Sequence, residues 1–282
     1  MKINRVSAFS YNNEGGNPAG VIICDNFPTD DEMLNTAKEV GYSETAFLKG
    51  VNDGWMIRYF APEMEIPFCG HATIASTAVL GEKFGEGNYK LYLNKGDINV
   101  SVLKSEKGIY TATLQSPKTY SEKAPEEYVN DVLNEFSLTH KDVNPDYPMY
   151  FAFAGAKHLI VVLKEHSKLK EMKYNFDRLK NIMQKESLTT ISLLWQESEN
   201  TFHSRNPFPP GGVYEDAATG AAAAALAGYL RDIQWKENNS CFEIIQGEDM
   251  GCTSHLFVEY TAETGSSIKV SGETRHIVEE KR

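Results

Sequence analysis

The sequence predicts an α+β chain made of two similar halves, each a sheet wrapped around one buried helix. Three observations predict it. Short β-branched and aromatic runs recur through both halves, the usual composition of strands. Two segments, ATIASTAVL and AAAAALAGYL, carry no charge on any face, and a helix that is apolar all round must be buried on every side. Each is preceded by an arginine at the same distance: Arg58 to Gly70 and Arg205 to Ala217 are both twelve residues.

The elements follow in order. NRVSAF, AGVIIC, TAFLKG, WMIRYF, YKLYL, INVSV and IYTATL read as strands in the first 114 residues. Thr29-Asp-Asp-Glu32 is a capping box that opens a helix ending near Gly41. The first small-residue helix is expected over 72–80. A polar, proline-containing stretch from 116 to 148 holds one amphipathic helix, EEYVNDVLNEF, and is the natural boundary between domains. The domains are read as 1–117 and 118–282, with the last strand free to return to the first. HLIVVL, a charged helix near 167–184, ISLLW, NTFHS, the alanine helix over 220–230, CFEIIQ, HLFVEY and SIKVS complete the second.

Composition removes several function classes. With 41% hydrophobic and 24% charged residues, the 282-residue chain is folded and globular. A net charge of −11 with no basic block opposes binding to nucleic acid or an anionic membrane. FAFAGAKHLIVVL, the longest apolar stretch, is too short to span a bilayer. MKINRVSAFS has no apolar signal segment, and Cys24, Cys69, Cys241 and Cys252 form no C-x-x-C pair, so a cytoplasmic protein with reduced thiols is expected. The seven histidines show no H-x-x-H or H-E-x-x-H spacing, and no metal site is read from them.

Helix physics then suggests a site. A buried helix begins with N–H groups that lack intrahelical partners and with the positive end of the macrodipole. Two such starts, with Gly70 and Gly220 permitting close backbone approach, are expected to face one cleft and hold a small carboxylate. Thr219-Gly220 fits a plain tight turn into a core helix equally well, and spacing alone leaves both readings open.

Six motifs in order carry a resemblance: Asn17-Pro-Ala-Gly20, Ser43-Glu-Thr-Ala46, Arg58-Tyr-Phe-Ala-Pro62, Cys69-Gly-His-Ala-Thr73, Glu215-Asp-Ala-Ala-Thr-Gly220, and Gln246-Gly247 with Met250-Gly251. From about residue 5 to about residue 270 the chain resembles the phenazine-biosynthesis PhzF-like family. That resemblance implies a diaminopimelate epimerase-like fold: two pseudo-symmetric domains, each a curled, barrel-like sheet around a central helix, with the site between them. It also implies an isomerase that moves a proton on a small amino or hydroxy carboxylate without metal or organic cofactor, and a homodimer. Carried over by motif, Glu44 takes and returns the proton, and His71 and Asp216 stand beside the substrate. Asn17, Gly70, Thr73, Thr219 and Gly220 complete the expected binding residues.

Where the family usually has proline and serine, this chain has Ala217 and Ala221, and where it has an arginine this chain has Cys252. These departures remove a hydroxyl and a guanidinium, which points to a substrate other than the phenazine precursor.

On physical grounds Glu44, buried beside a cleft, is expected to have a raised pKa, and otherwise it is a strand-end surface acid. His71, in the first turn of a buried helix, is expected to be neutral; its plainer role is that of a satisfied core histidine. Asp216 is assigned to a substrate amine or hydroxyl, though it could equally be a helix-start acid. Glu215 reads as structural, paired with Arg205 or Arg58. Cys69 matches one of the two thiols of racemases with the related fold, but the second falls at Ala217, so Cys69 reads as a small buried filler. Two further readings stand beside the isomerase: a carboxylate-binding protein that has lost turnover, and a two-thiol racemase, which Ala217 argues against.

Overall fold

A computed structural model describes residues 2–94, 96–236 and 240–277. The chain divides into two compact units. Unit 1 holds the described residues of 1–115, 252–255 and 270–282, and unit 2 those of 116–251 and 256–269. The division thus falls two residues before the boundary read from the sequence, and two C-terminal segments return to unit 1.

Unit 1 begins with β1 (Asn4–Ser10), β2 (Asn17–Ile23), α1 (Asp30–Val40), β3 (Glu44–Val51), β4 (Gly54–Phe60) and β5 (Glu65–Ile66). It continues with α2 (Gly70–Phe84), β6 (Gly87–Tyr92), β7 (Asp97–Lys104) and β8 (Tyr110–Gln115). The α1 helix begins at the expected capping box, with both reciprocal Thr29–Glu32 bonds present, and Gly41 ends it in the left-handed conformation. Its Met33 and Ala37 pack on Ile22, Phe47 and Phe60, so α1 covers the outer face of the sheet. α2 behaves differently. Gly70 through Gly81 are all buried, and the helix touches β1, β2, β3, β7 and β8. The charge-free sequence is therefore explained by enclosure, since no face meets water.

Unit 2 runs through β9 (Tyr120–Lys123), α3 (Glu126–Glu135), β10 (Tyr150–Phe153), β11 (Lys157–Leu163), α4 (His166–Lys170), α5 (Phe176–Lys185), β12 (Thr190–Ser198) and β13 (Thr201–Phe208). Then come β14 (Val213–Asp216), α6 (Gly220–Asp232), β15 (Ser240–Gln246) and β16 (Ser254–Tyr260), and β17 (Lys269–His276) returns the chain to unit 1. The charged helix expected near 167–184 is two helices. The break is local chemistry: Asn175 caps α5 by accepting from the Arg178 N–H, and Tyr174 is held by Tyr214. α3 and α5 pack Val129, Val132, Leu179 and Met183 into the core formed with β11 and β12. α6 is buried from Gly220 through Arg231 and touches β9, β10 and β11.

The strand pairings repeat. In unit 1, β1–β2 is antiparallel, β2–β3 parallel, β3–β4 antiparallel and β4–β6 parallel. In unit 2 the same order appears in β10–β11, β11–β12, β12–β13 and β13–β15. The short strands β5 and β14 hang antiparallel on β4 and β13, and each precedes the small-residue helix. The arginine that opens each signature is also used alike. Arg58 grips both carboxylate oxygens of Glu65 at 2.7 and 2.6 Å, and Arg205 grips both of Glu215 at 3.0 and 2.5 Å. Among the described residues, no helix is long and apolar enough to cross a membrane.

Candidate active site

In unit 1 three elements bring polar side chains together. Glu44 is the first residue of β3, Asn17 the first of β2, and His71 stands in the first turn of α2, where Cys69 occupies the N-cap position without a side-chain cap. β2 and β3 run parallel with Ala19 opposite Glu44, so both strands start at the same edge. His71 Nε2 lies 3.2 Å from Glu44 Oε2, and the two side chains are only 4% and 7% exposed. Ser43 Oγ lies 3.4 Å from the same ring nitrogen, and Asn17 Nδ2 lies 3.2 Å from Nδ1. Cys69 Sγ is 3.4 Å from Nδ1. Thr73 bonds to the Cys69 carbonyl at 2.6 Å and shares a 2.6 Å contact with the Tyr59 hydroxyl, which holds the helix start in place.

The electrostatics correct two expectations. Burial alone would push the Glu44 carboxyl up, but the positive His71 ring, helped by the polar side chains of Ser43 and Cys69 beside it, holds it below the usual carboxylate range. Burial likewise works against a charged His71, yet its contacts with the Cys69 sulfur and the Glu44 carboxylate raise it well above an ordinary histidine. Burial, followed by the Glu44 charge, pushes the Cys69 thiol up to about 11, so it stays protonated near neutrality. Glu44 therefore carries the negative charge that keeps His71 protonated. The helix dipole, which favours a neutral ring, is worth at most about 2 kcal/mol. A charge pair at 3.2 Å is worth on the order of 5 kcal/mol at an effective dielectric of 20, so the pair outweighs the dipole. The Asn17 amide can turn its nitrogen to a neutral ring or its oxygen to a charged one, so it serves both states. Glu44 Oε2, despite this contact, takes no aligned hydrogen bond.

In unit 2 the polar group is smaller. Asp216 ends β14 and is nearly buried, and its Oδ2 accepts from the Thr219 hydroxyl at 2.6 Å. Gln246, the last residue of β15, locks this turn: Oε1 accepts from the Thr219 N–H at 3.1 Å, and Nε2 donates to the Asp216 carbonyl at 2.7 Å. Gly220 is buried as α6 begins. Thr219, expected to bind substrate, thus spends its hydroxyl and amide inside the turn. Glu215 is structural and pairs with Arg205 rather than Arg58.

Glu44, His71, Asn17, Gly70 and Thr73 are together in unit 1, and Asp216, Thr219 and Gly220 in unit 2. The sequence reading gave Ser43 and Gln246 no role, although both stand inside quoted motifs, and it treated Cys69 as filler although its sulfur meets the His71 ring. Two clusters also hold metal-ligating atoms within 4.8 Å of one another: Glu44 with Cys69 and His71, and His166 with His203 and Glu248. Spacing patterns could not find them, because each is assembled from separate elements.

The model of the family described as "Phenazine biosynthesis-like protein" matches residues 6–280. A Bacillus subtilis protein named "Uncharacterized isomerase YfhB" is 29% identical over 279 residues, covering 96% of this chain and 94% of its own. A Bacillus anthracis phenazine biosynthesis protein of the PhzF family superposes with a TM-score of 0.85 at 21% identity, covering 99% and 98%. A hydroxyproline epimerase from Agrobacterium vitis, solved with trans-4-hydroxy-L-proline, superposes with a TM-score of 0.65 at 10% identity, covering 98% and 88%. At such identities the two structures establish the fold, the curled α+β architecture expected from the sequence.

Proposed function

The chain belongs to the phenazine biosynthesis-like family, and from that premise we propose that it is an isomerase that shifts a proton on a small amino or hydroxy carboxylate, with Glu44 as the proton carrier. One observation carries this reading: a buried carboxylate faces a buried imidazole at 3.2 Å, with an oxygen left out of any aligned hydrogen bond. A protein that only binds a carboxylate has no use for such an acid, since it repels the ligand's charge.

In the proposed reaction, ionised Glu44 takes the proton from a substrate carbon beside an unsaturated or carboxylate-bearing group. The electron pair left behind delocalises toward that group, and the His71 cation stabilises it. Neutral Glu44 then returns the proton to a different carbon, so charge and protons balance without an external partner. Asp216 is assigned to a substrate amine or hydroxyl. Ala221 and Cys252, which lack the polar groups usual in the family, favour a substrate other than the phenazine precursor. The four cysteines form no disulfide among the described residues, which supports placement in a reducing cytoplasm.

The test is turnover of a panel of small amino and hydroxy carboxylates in D2O. Wild type is expected to place deuterium at the reacting carbon, and Glu44→Gln to lower turnover at least ~10²-fold, the usual worth of a positioned base. Full turnover by the glutamine variant would reduce Glu44 to a strand-end acid. Wild type that binds ligands from the panel but converts none would favour the carboxylate-binding reading.

A further inference from the structure

Unit 2 holds a second cluster that the isomerase chemistry does not use. His166 opens α4, His203 lies on β13, and Glu248 begins the 3₁₀ turn Glu248–Met250. Their ligating atoms all lie within 4.8 Å of one another. The imidazole rings are 4.8 Å apart, centre to centre, and inclined at 48°. A tetrahedral ion bonded at about 2.0–2.1 Å needs ligands roughly 3.3 Å apart, a change that small side-chain shifts supply.

The surroundings match what a metal centre requires beyond its ligands. Trp195 stacks on His166 at 4.3 Å with ring planes 3° apart, which fixes the orientation of that ring. His203 Nδ1 lies 2.5 Å from Glu248 Oε2, while its other nitrogen lies 3.4 Å from Glu197 Oε2. That Nε2 is buried and has no aligned hydrogen bond. The ring thus stands between two carboxylates, Glu248 at Nδ1 and Glu197 at Nε2. A metal on Nδ1 would leave the ring proton on Nε2, where it can be donated to Glu197. An outer carboxylate on the far nitrogen is the usual support of a metal-bound histidine. His166 and Glu248 are partly exposed, which gives an ion a route in and leaves room for water. The nearby cation Arg205 is committed to Glu215.

We propose that His166, His203 and Glu248 bind one divalent transition-metal ion of the zinc class, with Glu197 as the outer support of His203. Two imidazoles and a carboxylate suit such an ion and leave a coordination position open. The ion would fasten α4 and β13 to the turn that follows Gln246, the residue that locks Asp216 and Thr219. This proposal does not depend on the isomerase reading.

The test uses the full chain after chelator treatment, titrated with Zn²⁺ by calorimetry and with Co²⁺ by visible spectroscopy. One ion per chain is expected, with tetrahedral cobalt bands and no thiolate-to-cobalt charge transfer. His166→Ala and Glu248→Gln, both at partly exposed positions, should each lower affinity by more than ~10-fold, and Glu197→Gln by about 10–100-fold. Circular dichroism checks that each variant is folded. Absence of binding by wild type overturns the proposal. So does binding that survives His166→Ala but is lost in Cys69→Ser, which would place the ion on Glu44, Cys69 and His71.

Discussion

Glu44 and His71 are each costly to bury charged, and each is tolerable because of the other. The signs fix a pH dependence. Glu44 is held below its ordinary range, so its part of the stability is present above that range and is lost as pH falls through the lowered value. His71 is raised, so its part is complete below an ordinary histidine pKa near 6.5 and is lost as pH rises through the raised value. Activity is therefore expected to follow a broad bell, with its acid limb below the usual carboxylate range and its alkaline limb well above 6.5. His71→Asn removes the countercharge and should move the acid limb of kcat upward, because burial then acts on Glu44 unopposed. A pH–rate profile checks this, and an unmoved limb would show that another cation holds Glu44. Cys69→Ala tests the neighbouring sulfur. A thiol pushed up to about 11 is a poor base near neutrality, so most turnover should remain. A fall in kcat as large as that of Glu44→Gln would make the thiol a participant. The identities of these residues were legible as motifs. Their protonation states were not, because the 3.2 Å approach of β3 to the start of α2 appears only in three dimensions.

At the scale of elements, the two small-residue helices were the most legible feature. Absence of charge on every face can only mean enclosure, and both are enclosed. Less legible was the break between α4 and α5, where apolar periodicity continues but Asn175 starts a new helix. Enclosure also explains why α2 keeps Gly81 in its interior at a cost in helix propensity. A Cβ there would stand 2.6 and 2.8 Å from the two methyl carbons of Val102 on β7, itself fully buried. Gly81→Ala gains about 1 kcal/mol in propensity but forces overpacking worth about 1–3 kcal/mol, so a net loss of stability is expected. Val102→Ala should destabilise alone yet restore part of the loss in the double variant, a coupling that denaturant melts of all four proteins would read. Simple additivity would mean that the helix and strand separate without strain.

At the scale of the molecule, the repeated order of antiparallel and parallel pairings is what the twelve-residue arginine spacing foreshadowed. The return of the C-terminus was harder to read. SIKVS has the composition of a strand, but nothing in it names a partner. In the structure β17 pairs with β1, placing Val6 opposite His276 and Ala8 opposite Thr274, and it also pairs with β8, where the Thr274 hydroxyl bonds to the Tyr110 carbonyl. With β17 in place, the chain of pairings through β1, β2, β3, β4, β6, β7 and β8 closes on itself, and α2 has sheet on every side. Truncation after Lys269 would open that ring and leave β1 and β8 as bare edges that invite aggregation. Hydrogen exchange is expected to rise sharply in β1, β8 and α2, while β11 and β12, paired within unit 2, keep their protection. Uniform loss of protection would mean that the two units unfold as one. If exchange in β1 and β8 stays as slow as in the full chain, closure by the last strand is not what stabilises unit 1.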